Sequence, residues 1–62
     1  MINQYPYTVG TSETGGFILC ATWEEAVTEA KSWAKDEPGA DVNIYSRNEH
    51  DEVIDTEATF RY

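Results

Sequence analysis

The sequence has few of the groups from which disulfides and membrane segments are built. It contains one cysteine and two prolines in 62 residues. A single cysteine excludes an intramolecular disulfide, and a small domain without disulfides is typical of a reducing compartment. No apolar run approaches about 18 residues, and no basic segment followed by an apolar stretch opens the chain. We therefore expect neither a membrane span nor a signal peptide, and we predict a cytoplasmic location.

The single histidine and the single cysteine also leave little material for catalysis. A catalytic site needs a nucleophile, a base and a stabilising group that converge. His50 lies in an acidic, turn-like segment, where a solvated side chain is the simplest interpretation. Cys20 lies between Leu19 and Ala21, and apolar surroundings raise the pKa of a thiol. We predict that the protein is not an enzyme and uses no cofactor.

A calcium loop is the one metal motif that the acidic residues approach. Asp41, Asn43 and Glu52 fall at its first, third and twelfth positions, but Tyr45 and Ser46 stand where a ligand and the turn glycine are needed. The sequence therefore predicts no specific metal site.

Positive charge is scarce as well, and this is the most informative property of the chain. Twelve Asp and Glu residues against four Lys and Arg give a net charge of −8. Eight of the twelve acids lie between Asp36 and Glu57, where Arg47 is the only Lys or Arg. Such a field repels phosphate backbones and anionic membranes and attracts basic surfaces. We predict a protein partner with a basic surface, and no direct contact with nucleic acid or membrane.

Hydrophobic periodicity predicts four strands and one helix in a single domain over 1–62. The alternating or apolar segments 5–11, 17–21, 40–45 and 53–62 predict strands, with turns at 12–16 and 48–52. The segment Thr22–Glu25 has capping-box spacing, in which the Glu25 carboxylate accepts from the Thr22 amide. The helix that follows has a stripe of apolar residues at helical spacing and ends before Pro38-Gly39. We predict that this stripe is core; it consists of Trp23, Ala26, Val27, Ala30, Trp33 and Ala34.

The order ββαββ predicts an α+β fold, in which one helix packs on one face of a four-stranded, mainly antiparallel sheet. Pro6 favours an edge position for the first strand, and the apolar sequence of the second favours a central one. We expect the opposite face of the sheet to carry Asn43, Tyr45, Arg47, Val53, Asp55, Glu57 and Arg61.

The candidate partner-binding residues are acids that the predicted elements present together. Alternate residues of a strand lie about 6.6 Å apart on one face, so Asp55 and Glu57 project side by side. Further acids are expected on the outer helix surface, at its far end and in the last turn. With Tyr45 of the sheet face, the predicted binding residues are Glu24, Glu29, Asp36, Glu37, Asp41, Tyr45, Asp51, Glu52, Asp55 and Glu57.

In size, charge and the plan of one helix on a sheet, the chain resembles the small acidic proteins with which bacteriophages disable host defences. These include anti-CRISPR proteins and DNA-mimic inhibitors of nucleases, restriction enzymes and DNA glycosylases. The resemblance covers the whole chain but involves no diagnostic motif. It implies a stoichiometric inhibitor, in the host cytoplasm if the chain is phage-encoded, whose carboxylates replace phosphates in the nucleic-acid site of a host protein.

An interaction module is the alternative. A domain of this size buries only roughly 60% of its unfolded surface, so self-association would add to a small core. Its contact surface would be the exposed sheet face, with Tyr45, Val53 and either Ile18 or Cys20. Tyrosine beside apolar residues is a common interface composition. This hypothesis predicts a homodimer or a protein complex that tolerates salt.

Overall fold

The structure is a computed structural model that describes residues 4–11 and 15–62. Within these residues the chain forms four strands and one helix in the order ββαββ. The three strand pairs are antiparallel, and the strand order in the sheet is β2-β1-β3-β4. The predicted α+β fold is confirmed. The elements are β1 Tyr7–Thr11, β2 Phe17–Cys20, α1 Trp23–Asp36, β3 Val42–Arg47 and β4 Val53–Phe60.

The helix covers one face of the sheet, here called the helix face, and the opposite one is the outer face. Three alanines one turn apart form the buried stripe of α1: Ala26, Ala30 and Ala34. They meet the largest fully buried side chains of the sheet, which are Ile44, Val9 and Val42. Because alanine is small, the helix backbone lies close to the central strands β1 and β3.

The two tryptophans of the predicted helix stripe lie at the margin of this core. Trp33 is only partly buried against it, and Trp23 is 39% exposed. The Trp23 ring packs edge-on against Tyr7 of β1, with 5.6 Å between ring centroids. The prediction that the whole stripe is core is therefore right for the alanines and wrong for Trp23. A narrow helix-to-sheet gap accepts alanine in its centre, and the large rings pack around its rim.

Thr22 caps the helix N-terminus as predicted, but the capping box closes one residue earlier. The Thr22 hydroxyl accepts from the Glu25 amide at 3.2 Å. The Glu25 carboxylate accepts from the Ala21 amide at 3.1 Å, and not from that of Thr22 as the sequence suggested. Both interactions satisfy N–H groups at the start of the helix that lack an intrahelical partner. They also fix the Glu25 carboxylate near the end of β2.

The helix ends at Asp36, directly before the predicted Pro38-Gly39 stop. Gly39 has φ +94°, a conformation that glycine adopts without strain. The Ala40 amide donates to the Glu37 carbonyl at 3.1 Å, which closes the turn into β3. The chain reverses here with the carboxylates of Asp36 and Glu37 exposed.

The sequence-based assignment of edge and central strands is wrong in both cases. β1 lies inside the sheet between β2 and β3, and β2 is an edge strand. Pro6 precedes the first paired residue of β1, and its carbonyl accepts from the Arg47 amide at 2.8 Å. A proline lacks only the donor, so it does not disturb a strand that begins one residue later.

Two register shifts in the β3–β4 pair change which side chains face outward. They lie between Ile44 and Tyr45 and between Ser46 and Arg47. Ser46 is on the helix face, since it pairs with Tyr7 and Tyr7 pairs with the buried Cys20. Asp55 pairs with this serine.

The Ser46 hydroxyl donates to Glu57 Oε2 at 2.9 Å. Asp55 and Glu57 therefore lie on the helix-face side of β4, contrary to prediction, because each bulge adds a residue and reverses the alternation. Thr56, opposite Tyr45, faces outward instead. The other predicted outer-face residues of the strands, Asn43, Tyr45, Arg47 and Val53, follow the prediction, and Arg61 lies beyond the end of β4.

Candidate protein-binding surface

A shallow groove with acidic walls runs between the edge strand β2 and the helix. Its first part, about 460 Å³, is lined by Ile18, Leu19, Cys20, Glu24, Glu25, Thr28 and Glu29. A second depression, about 240 Å³, continues along the helix and is lined by Ile18, Glu29, Ser32, Trp33, Asp36 and Glu37. Ile18 and Glu29 belong to both parts. We call this surface the acidic groove.

Helical spacing explains why several acids line one groove. Glu25, Glu29 and Asp36 are separated by four and seven residues, which places them on one side of an α-helix. Along the axis, Glu29 lies about 6 Å from Glu25 and about 10.5 Å from Asp36. The groove therefore offers a row of carboxylates beside apolar side chains of β2. It contains four of the predicted binding residues: Glu24, Glu29, Asp36 and Glu37.

These four carboxylates form no ion pair in the part of the chain that the structure describes. No Lys, Arg or His there lies within 4.0 Å of their oxygens. All four side chains belong to exposed residues. Glu25 is the one groove acid with a structural hydrogen bond, through its cap to Ala21. No direct ion pair thus neutralises these four groove carboxylates within the described residues.

The predicted acids at the two chain reversals differ from those in the groove. Asp51 accepts from Arg47 at 3.1 Å, and Asp41 lies 3.9 Å from Arg61. Glu52 accepts from the Asn48 side chain at 3.3 Å and donates its amide to the same residue at 3.0 Å. These side chains hold the turns in shape, and two of them have their charge balanced.

Asp55 and Glu57 form a separate acidic pair on β4, at the opposite edge of the sheet from the acidic groove. Glu57 accepts from Ser46, and the Asp55 carboxylate accepts from the Thr56 amide at 2.9 Å. The structure therefore does not unite the ten predicted residues in one surface. It distributes them over the groove, the chain reversals, the β4 edge and the outer face.

Tyr45 lies on the outer face, where its hydroxyl takes part in a small polar chain. The Asn43 side-chain Nδ2 donates to the Tyr45 hydroxyl at 3.0 Å, and the Thr59 hydroxyl donates to Asn43 Oδ1 at 2.7 Å. The Tyr45 ring lies near Gly10 of β1, 4.0 Å from where a Cβ of that residue would lie. These contacts within the fold thus account for the position of the Tyr45 side chain.

The outer face also exposes apolar side chains near Arg47. Phe17 is 65% exposed, Leu19 40% and Val53 58%. These three side chains line a depression of about 350 Å³ with Thr8, Arg47 and Asp51. Arg47 is fixed there, since it pairs with Asp51 and donates to the Tyr5 carbonyl at 3.1 Å. This surface matches the composition of a modest protein contact.

The alternative hypothesis placed Ile18 or Cys20 on this face, and both placements are wrong. Cys20 is 2% exposed and belongs to the core under the helix, and Ile18 pairs with the buried Val9. Burial, and the nearby carboxylates of Glu29 and Glu25, raise the pKa of the Cys20 thiol above its ordinary value. The predicted direction of that shift is confirmed. A protonated, buried thiol is a poor nucleophile.

The remaining candidate for acid–base chemistry is His50 in the β3–β4 turn. Its side chain is 74% exposed, and Nε2 lies 3.8 Å from the Glu49 carboxylate. In residues 4–11 and 15–62, no group of three or more His, Cys, Asp and Glu side chains is arranged to hold a metal ion.

Sequence reasoning missed the apolar wall of the groove. Ile18 and Leu19 were expected in a central strand, and Glu25 was not among the predicted binding residues. The signal that could have found them is the length of the connection: only Ala21 and Thr22 separate β2 from α1, so the helix must begin beside the end of this strand.

Comparison with protein-family models, with curated proteins and with solved structures found no match. The described residues contain no helix that is both long enough and apolar enough to cross a membrane.

Proposed function

We propose that this protein is a small acidic inhibitor that binds the basic nucleic-acid site of another protein, such as a host defence or DNA-processing protein, in the manner of a DNA mimic. The observation that carries the proposal is the acidic groove. Its carboxylates line one side of the molecule and form no ion pair among the described residues, whereas Asp41 and Asp51 are paired with arginines. Uncompensated charges generate the field that a basic surface recognises.

The net charge of −8 also supports the proposed inhibitor, because it produces an electrostatic field that acts beyond the groove itself. A field of this sign accelerates encounter with a positively charged cleft and disfavours negatively charged partners. The proposal includes no catalytic step and no cofactor. Binding is stoichiometric, and the consequence for the partner is competition with nucleic acid for the same surface.

The test is a competition experiment with two matched charge-reversed variants. Proteins captured from a bacterial lysate at low salt are identified, and the fluorescence anisotropy of a labelled DNA duplex bound to the captured protein is followed as this chain is added. The expected result is displacement of the DNA at a molar ratio near one, with affinity that falls as salt is raised.

The double variant Glu29→Lys with Asp36→Lys should weaken displacement by at least about tenfold, since it reverses two charges of the groove. Asp55→Lys with Glu57→Lys makes the same net change at the β4 edge and should weaken it much less. DNA that stays on the captured protein while this chain is also bound would refute the mimicry. Equal losses in both variants would show that only the total charge matters.

The exposed apolar residues of the outer face favour a second candidate, an interaction module that self-associates through Phe17, Leu19 and Val53. Sedimentation at rising protein concentration distinguishes it. A dimer formed by this face persists at high salt and is lost in Phe17→Ser, whereas the inhibitor is a monomer at all concentrations in the absence of its partner.

A further inference from the structure

We propose that β2 and the acidic groove form a strand-addition site, in which an extended basic segment of a partner protein becomes a fifth strand at the β2 edge. The inference rests on the proposed function and specifies how the partner is held. In this mode, backbone hydrogen bonds provide affinity, and side chains at alternate positions provide specificity.

β2 is an edge strand, and no other strand of the described residues pairs with its outer side. Its four residues pair on one side with β1 in an unbroken register and carry neither charge nor proline. An edge strand leaves a row of backbone N–H and C=O groups available for a further strand. Three of its side chains, Phe17, Ile18 and Leu19, are also exposed, at 65%, 36% and 40%.

The opposite edge of the sheet, strand β4, is protected. β4 contains two register shifts and carries Asp55 and Glu57. Bulges and charges are devices that prevent the pairing of edge strands. Since the same sheet protects one edge and leaves the other regular and apolar, β2 is the edge at which addition of a strand is favourable.

The spacing of the groove acids identifies the chemistry of the added strand. A new strand lies about 4.8 Å beyond β2, and its alternate side chains on the helix face, about 6.6 Å apart, enter the acidic groove. Glu25 and Glu29 are spaced about 6 Å along the helix axis. Lysine or arginine at every second position therefore meets successive carboxylates, while the intervening residues lie beside Phe17 and Leu19 and are apolar.

Charge also decides between a foreign segment and a second copy of this chain. Two copies paired through β2 bring together two grooves that each contain Glu24, Glu25 and Glu29, on molecules of net charge −8. Like charges at an interface oppose association. A basic segment gains from the same field, so the geometry points to a partner with alternating basic and apolar residues.

The test uses a synthetic peptide of about eight residues that alternates lysine and valine, a length within the range of natural strands. Two control peptides separate the contributions. A glutamate–valine peptide reverses the charge, and a fully N-methylated lysine–valine peptide keeps side chains and charges but has no backbone N–H to donate. Binding is followed by amide chemical shifts of the isotope-labelled protein.

The lysine–valine peptide should shift the amides of residues 17–20 and 24–29. The N-methylated peptide should bind at least about tenfold more weakly, because the strand ladder is lost. The variant Glu29→Gln should weaken binding by roughly two- to fivefold, the range for one exposed ion pair, and Glu57→Gln should not.

Shifts centred on residues 53–60, or equal binding of the N-methylated peptide, would overturn the strand-addition site. Tight binding of the glutamate–valine peptide, or dimerisation of the protein through β2, would overturn the choice of a basic occupant. These outcomes are independent of the DNA competition experiment, so a failed strand-addition site with intact DNA displacement leaves the inhibitor assignment in place.

Discussion

The two edge strands of the sheet, β2 and β4, show how differently one small domain can treat its two open sides. β4 is eight residues long, is interrupted by two bulges and carries acids that bond to the fold itself. β2 has four residues in a regular register and borders a groove whose acids form no ion pair among the described residues. Bulges and acids that bond within the fold protect the β4 edge from pairing. A regular register beside acids without ion pairs makes the β2 edge suitable for a partner.

Both edge strands depend on one core, and a cavity in that core should have the largest effect on the free energy of unfolding. Ile44 of β3 is fully buried. Ile44→Ala should lower the free energy of unfolding by roughly 2–5 kcal/mol, through lost burial and a cavity. A control is available in Ile54→Ala, since Ile54 on the β4 edge is 63% exposed and its truncation should cost about 0.5 kcal/mol or less. Urea denaturation measures both, and equal costs would place the core elsewhere.

Loss of the helix N-cap should have the second-largest effect, and it should affect the β2 edge more than the β4 edge. Thr22→Ala removes the hydroxyl that accepts from Glu25 and should cost about 0.5–2 kcal/mol. Because the cap lies between β2 and the helix, hydrogen exchange should accelerate at residues 17–30 more than at 53–60. Thr56→Ala, at an exposed position on β4, is the matched control. A similar loss of unfolding free energy in both variants would show that the Thr22 cap does not stabilise the helix.

The pH dependence of stability tests whether Cys20, at the end of the β2 edge strand, is buried as the structure shows. The pKa of Cys20 is raised in the folded chain, first by burial and then by Glu29 and Glu25. Because the pKa of the thiol is higher in the folded than in the unfolded chain, the thiol contributes to the free energy of unfolding. This contribution is complete below the unfolded pKa and is lost as pH rises through the folded pKa. Between about pH 8 and pH 10, the free energy of unfolding should fall more steeply in the parent than in Cys20→Ala. Parallel slopes would show that the thiol is not desolvated.

The smallest expected effect is that of salt on the isolated protein. Repulsion among the acids opposes folding, and added salt screens it. A gain of about 0.5 kcal/mol corresponds to a rise of roughly 2–4 °C in Tm for a domain of this size. Glu29→Gln should reduce the salt response more than Glu52→Gln, whose side chain bonds to Asn48. A Tm that falls with salt would mean that internal ion pairs outweigh the repulsion.

Local patterns were sufficient to predict the elements of this fold. The alternation of β3, the Thr22 cap and the Pro38-Gly39 stop are short-range signals, and each is present in the structure where the sequence places it. The buried alanines follow from helical spacing in the same way. These features depend on residues at most a few positions apart.

The arrangement of the strands depends on long-range pairing and was not predictable in the same way. β1 pairs with β3, although β2 and the whole helix lie between them in the sequence. This pairing makes β2 an edge strand, although its sequence is typical of a central strand. The bulges near Glu57 and Ile54 reverse a strand alternation that looks regular in the sequence. The groove acids were identified from their position on the helix, but their apolar neighbours in β2 could not be.

Hydrogen exchange on this chain, free and bound to the protein that it captures, tests the difference between the two edges most directly. The account predicts that amides of β2 and of the helix residues lining the groove become protected in the complex, whereas those of β4 exchange as in the free protein. Protection confined to β4, with β2 unchanged, would contradict it.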